Sequence, residues 1–423
     1  MKNRVLFPVA IVVATTLVVV ATFRDARESD AAFAASPASD PSLSRRSALR
    51  VGGGTTRAEL TATVSTMRDR FKAHPDDATA VVGLANALIR LQRVNNDGRA
   101  VITAEDHLRD FLKRSPGHYD ARRMLSAVLL SQHRFRDAIA EANRAMAIDP
   151  RDAWNYGAAG DGYMELGDYQ RAFEAFDRMG QLQPGPPAYA RTSYALEIKG
   201  DLDGALEYMK RAADGTSPND AESQAWHYAE LGELLLKLGR LPQARLEFER
   251  ADATFPGHPM AVVGLARVRM RDGDLSGARL MLQSQLARTA TPDLATAVAE
   301  LSQALRDETA ADQYFQMAEQ IERGAWGNGL RQPQVMARLL SERPGREPEA
   351  LQLAEEAARS RADIFTMDTL AWAYFKNGRR DEAMQAMQQA LRTGTRDRRI
   401  QCHAEIISGR APASTRRCLE WRP

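Results

Sequence analysis

The chain lacks the residue patterns that mark most catalytic and metal-binding sites. It has two cysteines and seven histidines among 423 residues. No histidine stands in an H-E-x-x-H arrangement or at zinc-ligand spacing from a cysteine. No G-x-S-x-G sequence and no dinucleotide fingerprint occurs. These absences argue against an enzyme and predict no cofactor and no metal, and we expect the histidines to be solvated or to cap helix ends.

Aromatic residues and net charge are also scarce. Aromatics make up 7% of the chain, and 57 basic against 55 acidic side chains leave a formal charge of +2. Such a balance predicts no nucleic-acid partner. Hydrophobic residues reach 44%, so the chain can bury a core, and the prominence of Ala, Leu and Arg favours helices.

The N-terminus has one long uncharged run, from Val5 to Phe23, preceded by Lys2 and Arg4. Nineteen helical residues at ~1.5 Å each just cross a bilayer core of ~30 Å. The run is longer than the ~7–15 residues of a secretory h-region, which favours an uncleaved signal anchor over 1–23, although a cleaved signal stays open. The basic flank predicts a bacterial inner-membrane anchor with the rest of the chain on the periplasmic side, or an exported chain if the segment is removed.

Residues 24–57 have little apolar periodicity and are rich in Ala, Ser, Pro and Gly. We interpret this segment as a disordered linker, because it cannot bury enough apolar surface to fold.

A short phrase then recurs at a fixed interval. Alanine follows a turn signal at 138, 172, 205, 244, 278, 311 and 383, at intervals of 34, 33, 39, 34, 33 and 72 residues. Ala350 lies near the midpoint of the last interval. A period of about 34 residues is the length of one helix–turn–helix unit.

One such unit shows how the helices would pack. Gly167 is placed to end its first helix and Asp168 to cap its second. Gly160 and Ala172 would lie where the two helices cross, since only small side chains permit a close approach, with Phe176 on the apolar face of the second helix. No single pair encloses a core, so each pair needs its neighbours.

The repeats resemble the tetratricopeptide repeat family. One repeat holds all eight family positions, with Tyr for Trp and Leu for Tyr among them, and a second holds seven. The first set is Tyr228, Leu231, Gly232, Leu235, Ala244, Phe248, Ala251 and Pro256; the second is Met367, Leu370, Ala371, Tyr374, Ala383, Met387 and Ala390. The resemblance implies an all-α fold, an α-solenoid of about nine stacked helix pairs in a right-handed superhelix over 58–395.

The segment 396–423 reads as a capping helix, with Ile400, Ala404 and Ile407 on one side, followed by a tail. Both cysteines, Cys402 and Cys418, lie in it. An exported chain would meet an oxidising compartment, so a disulfide between them is plausible, with two free thiols as the alternative.

In the resembled family the first helix of each pair lines a concave groove. Transferred by register, the partner-binding residues are Asn86, Arg90, Arg123, Trp154, Asp161, Tyr194, Glu197, Trp226, Glu233, Arg267, Glu300, Phe365, Asp368, Trp372 and Phe375. The tryptophans among them are of the type found at interface hot spots. Packing on adjacent repeats is the alternative for each.

These features predict a non-enzymatic scaffold, tethered to the membrane through residues 5–23, that binds proteins or peptides in its groove. No small-molecule substrate is evident. The alternative is an accessory or assembly subunit of a cell-envelope enzyme or export machine, such as one for polysaccharide secretion.

Overall fold

The structure is a computed structural model, and it describes residues 57–95, 98–410 and 418 of the chain. The chain divides into two units, Met1–Val51 and Gly52–Pro423, and all described residues belong to the second. The predicted anchor at 1–23 and nearly all of the predicted linker at 24–57 therefore lie outside the described residues. Within the described part, no helix combines the length and the hydropathy that crossing a bilayer requires.

The described residues form twenty α-helices and no strand. In chain order they are α1 Arg57–Ala73, α2 Ala78–Asn95, α3 Gly98–Arg114, α4 Tyr119–Ser131, α5 Phe135–Ile148, α6 Ala153–Leu166, α7 Tyr169–Leu182, α8 Pro186–Ile198, α9 Leu202–Gly215, α10 Ala221–Lys237, α11 Leu241–Thr254, α12 Pro259–Arg271, α13 Leu275–Arg288, α14 Pro292–Ala304, α15 Glu308–Gly327, α16 Pro333–Ser341, α17 Glu347–Ser360, α18 Ile364–Lys376, α19 Arg380–Leu391 and α20 Arg398–Ile407. The predicted all-α repeat solenoid is confirmed at this level.

From α2 onward the helices form nine consecutive pairs, with α1 ahead of them and α20 behind. In each pair the two helices pack on one another, and the second then packs on the first helix of the next pair. This serial contact is the arrangement that lets repeats share a continuous core.

Local sequence accounts for the turns within the pairs. Gly167 has φ +77° at the end of α6, and the Asp168 side chain accepts a hydrogen bond from the Arg171 backbone N–H at the start of α7. Asp201 and Asp274 cap α9 and α13 in the same way. A left-handed glycine followed by an aspartate cap therefore reverses the chain between paired helices.

The helices of a pair cross where side chains are small. A Cβ added to Gly160 would lie 2.4 Å from the Phe176 ring, and one added to Gly232 would lie 2.6 Å from the Phe248 ring. Ala172 is fully buried beside this crossing. The predicted close approach is confirmed, and the group that demands it is the phenylalanine of the second helix.

Repeats far apart in sequence also touch. The Ala362 backbone N–H donates to the Leu166 carbonyl at 3.2 Å, and the Ile364 N–H donates to the Tyr169 hydroxyl at 2.8 Å, across 195 residues. The Arg392 guanidinium reaches the Gly167 carbonyl at 3.2 Å. We call this contact of residues 165–169 with residues 361–364 and 392 the seam. It joins the turn between α6 and α7 to the turn before α18 and to the turn after α19.

Candidate functional site

The first helices of the pairs, α2 to α18 in even numbers, together with the final helix α20, form a common surface that we call the inner face. Neighbouring helices of this surface pack on each other at several places: α2 with α4, α4 with α6, α6 with α8, α10 with α12, α16 with α18 and α18 with α20. The predicted partner-binding residues all lie on these helices.

Ion pairs join neighbouring first helices across the inner face. Three of the predicted acidic residues take part: Asp161 with Arg191 at 2.6 Å, Glu197 with Lys237 at 2.5 Å, and Glu233 with Arg267. These ion pairs hold adjacent repeats together, so the three carboxylates are already paired within the chain when a partner binds.

Arg90 takes part in a buried network of charged side chains. Its side chain is buried, 2.5 Å from Asp220, and Glu222 lies 3.4 Å from it and 2.9 Å from Arg93. Glu222 is fully buried. This network ties α2 to the start of α10, so Arg90 acts in packing between repeats.

Two predicted aromatic positions combine packing with partial exposure. The Arg123 guanidinium lies 4.5 Å from the centre of the half-buried Trp154 ring and 3.2 Å from Asp152. The half-buried Trp226 packs against the core beneath α10. Both tryptophans contact their own chain and leave part of the ring accessible on the inner face.

Trp372 and Asp368 are internal. Trp372 is 3% exposed, its indole N–H donates to Glu342 at 2.7 Å, and its ring stacks on His403 at 4.1 Å. The Phe375 ring also stacks on the Trp372 ring, with the two ring centroids 5.3 Å apart. Trp372 therefore packs on α20 through His403 and also lines the cavity described below, and its contact with a partner stays a prediction.

Histidine burial departs from the sequence expectation. His118 caps α4 as expected, accepting from the Ala121 N–H. His227, His258 and His403, however, are buried, with only 4–6% of each residue exposed. Each of the three stacks or packs edge-on against an aromatic ring. The expectation of solvated histidines is wrong for these three, since neighbouring repeats close over them.

A cavity of about 440 Å³ opens on the inner face between α10 and α20. Its wall contains five of the predicted residues: Glu233, Arg267, Glu300, Asp368 and Trp372. The apolar part is formed by side chains of four successive repeats, and the remainder by charged and hydroxyl groups. The apolar residues are Pro259, Met260, Val263, Pro292, Leu294, Phe315, Val335, Leu339 and Trp372, and Cys418 closes one edge.

Two carboxyl groups on the inner face have shifted pKa values of opposite direction. Burial raises the pKa of Asp368, but His403 at 2.8 Å and Arg399 at 3.1 Å outweigh it and hold the net pKa below its ordinary value. Burial, with the nearby Glu197 charge, raises the pKa of Glu230 to about 8. The inner face thus contains a carboxylate locked in its charged form and a carboxyl that is largely protonated near neutral pH.

The remaining predicted residues are spread along the inner face. Asn86, Tyr194 and Phe365 are half-buried on α2, α8 and α18, and Glu300 is buried in the cavity wall. The structure therefore brings five predicted residues of the last five repeats together at the cavity and leaves others, among them Trp154, Tyr194, Trp226 and Phe365, outside it.

Cys402 and Cys418 form a disulfide, with the two Cα atoms 5.4 Å apart and a sequence separation of 16. Cys418 is buried in the same core as Ile400 and Trp372. The bond attaches residue 418 to α20 at the edge of the cavity.

Several residues of the site have no signal in the repeat motif. Arg338, Glu342, Arg399 and His403 line the cavity, yet register transfer did not select them. Arg399 and His403 lie on the capping helix, which the family pattern does not describe. The available clue was the pair of cysteines. Cys402 directly precedes His403, and a disulfide to Cys418 would bring the tail towards the last repeat.

Within residues 57–95, 98–410 and 418, no group of three or more His, Cys, Asp or Glu side chains is placed to hold a metal ion. Several charged groups of the cavity pair with each other, among them Arg267 with Glu233 and Arg399 with Asp368.

Sequence models described as "Tetratricopeptide repeat" match three parts of the chain: residues 235–301, residues 103–153 with 158–221, and residues 367–393. These ranges fall on the helix pairs described above. No curated protein matches significantly.

Solved structures with a similar fold are distant in sequence. A chain in the crystal structure of the APC/C hetero-tetramer Cut9–Hcn1 has TM-score 0.51 and 15% identity over 82% of this chain, which spans 59% of that chain. Human IFIT1, solved as a dimer with m7Gppp-AAAA, has TM-score 0.49 and 14% identity over 80% of this chain and 78% of its own. Yeast Tom70 has TM-score 0.45 and 16% identity over 84% and 86%. At 15% identity the first likeness establishes the fold alone.

Proposed function

Because the chain is built from tetratricopeptide repeats, we propose that it is a protein-binding scaffold that holds partner chains on its inner face. The observation that carries the proposal is the cavity of about 440 Å³ on that face. Its wall draws on five successive repeats, so the stacking of the repeats creates it and no single repeat contains it. A concave site with an apolar majority and a few polar groups is the usual form of a binding site.

Half-buried aromatic residues add contact area beyond the cavity. Trp154, Tyr194 and Trp226 are partly accessible on the first helices α6, α8 and α10 and do not line the cavity. Tryptophan and tyrosine contribute strongly to interfaces because they bury large area with little loss of conformational entropy. A partner chain that follows the inner face would meet these rings in succession.

We further propose that the scaffold is tethered to a bacterial inner membrane through residues 5–23 and faces the periplasm. The uncharged run and its basic flank support this, and the linker at 24–57 would let the repeats stand away from the surface. Fractionation of cells that make the chain, with and without residues 1–23, tests the tether: recovery of both forms in the same soluble fraction would count against it.

The groove is best tested by site-specific photo-cross-linking. We expect p-benzoylphenylalanine at Trp226, on the inner face, to form a discrete adduct with a partner. The matched control is Leu280 on the second helix α13, where the native side chain is 65% exposed. Equal adducts at both positions, or none at Trp226, would contradict the proposal. The identity of the adduct also decides whether the partner belongs to an envelope enzyme or export machine.

Trp372 is unsuitable for such a test. Its side chain is buried against His403 and Glu342. Truncation there would remove core packing, so lost binding could follow from lost folding.

A further inference from the structure

We infer that the cavity between α10 and α20 takes a short apolar, uncharged stretch of a partner chain. The inference rests on the proposed scaffold function and names the chemistry of the segment that enters. Three features of the wall carry it: the apolar floor, the internal pairing of the charged wall residues that the structure describes, and the size of the space.

The floor of the cavity is apolar over several repeats. Leu294 and Leu339 are 6% and 4% exposed, and Val263 on α12 is half-buried at the same wall. Phe315 and Trp372 complete it from α15 and α18. A ligand that covers this floor gains by removing apolar surface from water, at roughly 25 cal/mol per Å².

Among the described residues, every charged side chain of the wall already has a partner within the chain. Arg267 pairs with Glu233, Arg338 with Asp293, and Arg399 and His403 share Asp368. Arg93 pairs with Glu222, Glu342 accepts from Trp372, and Glu300 also has an interaction. An incoming charged side chain would have to displace one of these partners or be buried unpaired, and both are unfavourable. The wall therefore complements a neutral ligand.

The space suits a segment longer than one side chain. About 440 Å³ lies within the ~300–1,000 Å³ of sites that enclose most of a drug-sized ligand. Cys418, held by its bond to Cys402, forms one edge of the wall. Two or three neighbouring side chains such as Leu-Phe-Leu fit this description, with their backbone able to meet the polar rim.

The test uses three five-residue peptides with blocked ends on the full chain. They are acetyl-Ser-Leu-Phe-Leu-Ser-amide, the same peptide with Glu at both Leu positions, and the same peptide with Lys there. We expect isothermal titration calorimetry to show the Leu peptide binding at least 10-fold more tightly than either charged peptide. Equal affinity of a charged peptide, or no binding of the Leu peptide, would overturn the inference.

A matched pair of variants locates the binding. Val263→Glu places a carboxylate in the cavity wall, whereas Val262→Glu makes the same change at the adjacent half-buried position that does not line it. We expect at least 10-fold weaker binding of the Leu peptide by V263E and less than 2-fold change by V262E. Thr296→Phe, which fills cavity space without adding charge, is the second variant, with circular dichroism as the check on folding. Equal effects of V263E and V262E place the ligand elsewhere and refute the cavity.

Failure of the cavity and failure of the scaffold function give different results. If V263E and T296F still form the Trp226 adduct while the peptide preference is absent, the cavity inference fails and the scaffold proposal stands. If the peptide preference holds but no adduct forms at Trp226 in cells, the cavity binds apolar peptides and the proposed scaffold function fails.

Discussion

Glycine is used in two ways along the helices of the repeats, and its neighbours show which use applies. At Gly160 an added Cβ would lie 2.4 Å from the Phe176 ring. At Gly180, also within a helix, an added Cβ would meet no atom within 4 Å. The first glycine permits two helices to approach, whereas the second only lowers the helix propensity of α7.

These two glycines predict opposite effects of one substitution. Gly160→Ala should destabilise by about 1–3 kcal/mol, because the Phe176 ring is buried and has to shift. Gly180→Ala should stabilise by about 0.5–1 kcal/mol through helix propensity. Urea denaturation followed by circular dichroism measures both. Equal changes in the two variants would show that the crossing at Gly160 is looser than described.

Two buried histidines make the fold sensitive to acid. Burial, assisted by the Arg93 charge, lowers the pKa of His258 to about 4, and burial lowers the pKa of His227 to about 4 as well. A histidine with a depressed folded pKa contributes stability that is present above its unfolded pKa of about 6.5 and is lost as pH falls towards 4.

We therefore expect stability to fall between pH 6.5 and 4, and His258→Gln to reduce that fall by about 2–3 kcal/mol at pH 4. His74→Gln is the control, since His74 is exposed. The measurement is the urea midpoint at a series of pH values. A pH profile of H258Q that matches the unaltered chain would exclude His258 as a source of the acid sensitivity.

At the scale of single elements, α20 differs from the helices before it. It has no second helix to pack on it within the described residues, and its Ile400, Ile406 and Ile407 are buried against the last pair. His403 and Arg399 hold it to Asp368 on α18. The disulfide between Cys402 and Cys418 attaches residue 418 to α20.

Removing this disulfide tests how far α20 depends on it. Cys402→Ser with Cys418→Ser should cost about 3 kcal/mol by the chain-entropy estimate for a loop of this size. Hydrogen exchange should accelerate first in α20. Dithiothreitol should reproduce the effect on the unaltered chain and leave the double variant unchanged. Two free thiols in intact mass spectrometry under non-reducing conditions would remove the basis of the prediction.

At the scale of the whole described unit, the seam adds contacts that a simple linear array lacks. In a linear array each repeat contacts its neighbours, and stability sums over nearest neighbours. Here Arg361 lies 2.8 Å from Glu165 and 2.6 Å from Asp363, with its guanidinium 5.2 Å from the Phe135 ring. Gly167 permits the approach, since a Cβ there would lie 2.4 Å from the Ala362 carbonyl oxygen. The seam should make distant repeats unfold together.

Arg361→Ala should destabilise by about 3–5 kcal/mol, because it leaves the buried Asp363 carboxylate without its cation. Arg331→Ala is the control: that residue pairs with Glu356 at 2.7 Å, but both side chains are more than one-third exposed, so its loss should cost under about 1 kcal/mol. Hydrogen exchange should also show α6 and α18 opening independently only in R361A. Similar losses in both variants would mean that the seam adds no more than a surface ion pair.

Much of the fold follows from local pattern. The interval between the alanines predicts the helix pairs, Gly167 and Asp168 predict the turn, and Gly160 predicts the crossing. These features depend on neighbours a few residues away in one repeat, where periodicity and capping chemistry act directly. The same locality explains why register transfer placed all fifteen residues on first helices.

The seam, the burial of Trp372 and the cavity could not be read from the chain. They depend on small rotations between successive repeats that accumulate over nearly 200 residues, so that Tyr169 meets Ile364 and the last helix closes over Trp372. No local sequence pattern encodes this accumulated rotation. Residue chemistry therefore specifies each repeat and its neighbours, while the stacked assembly alone selects which charges pair, which rings are covered and where space remains for a partner.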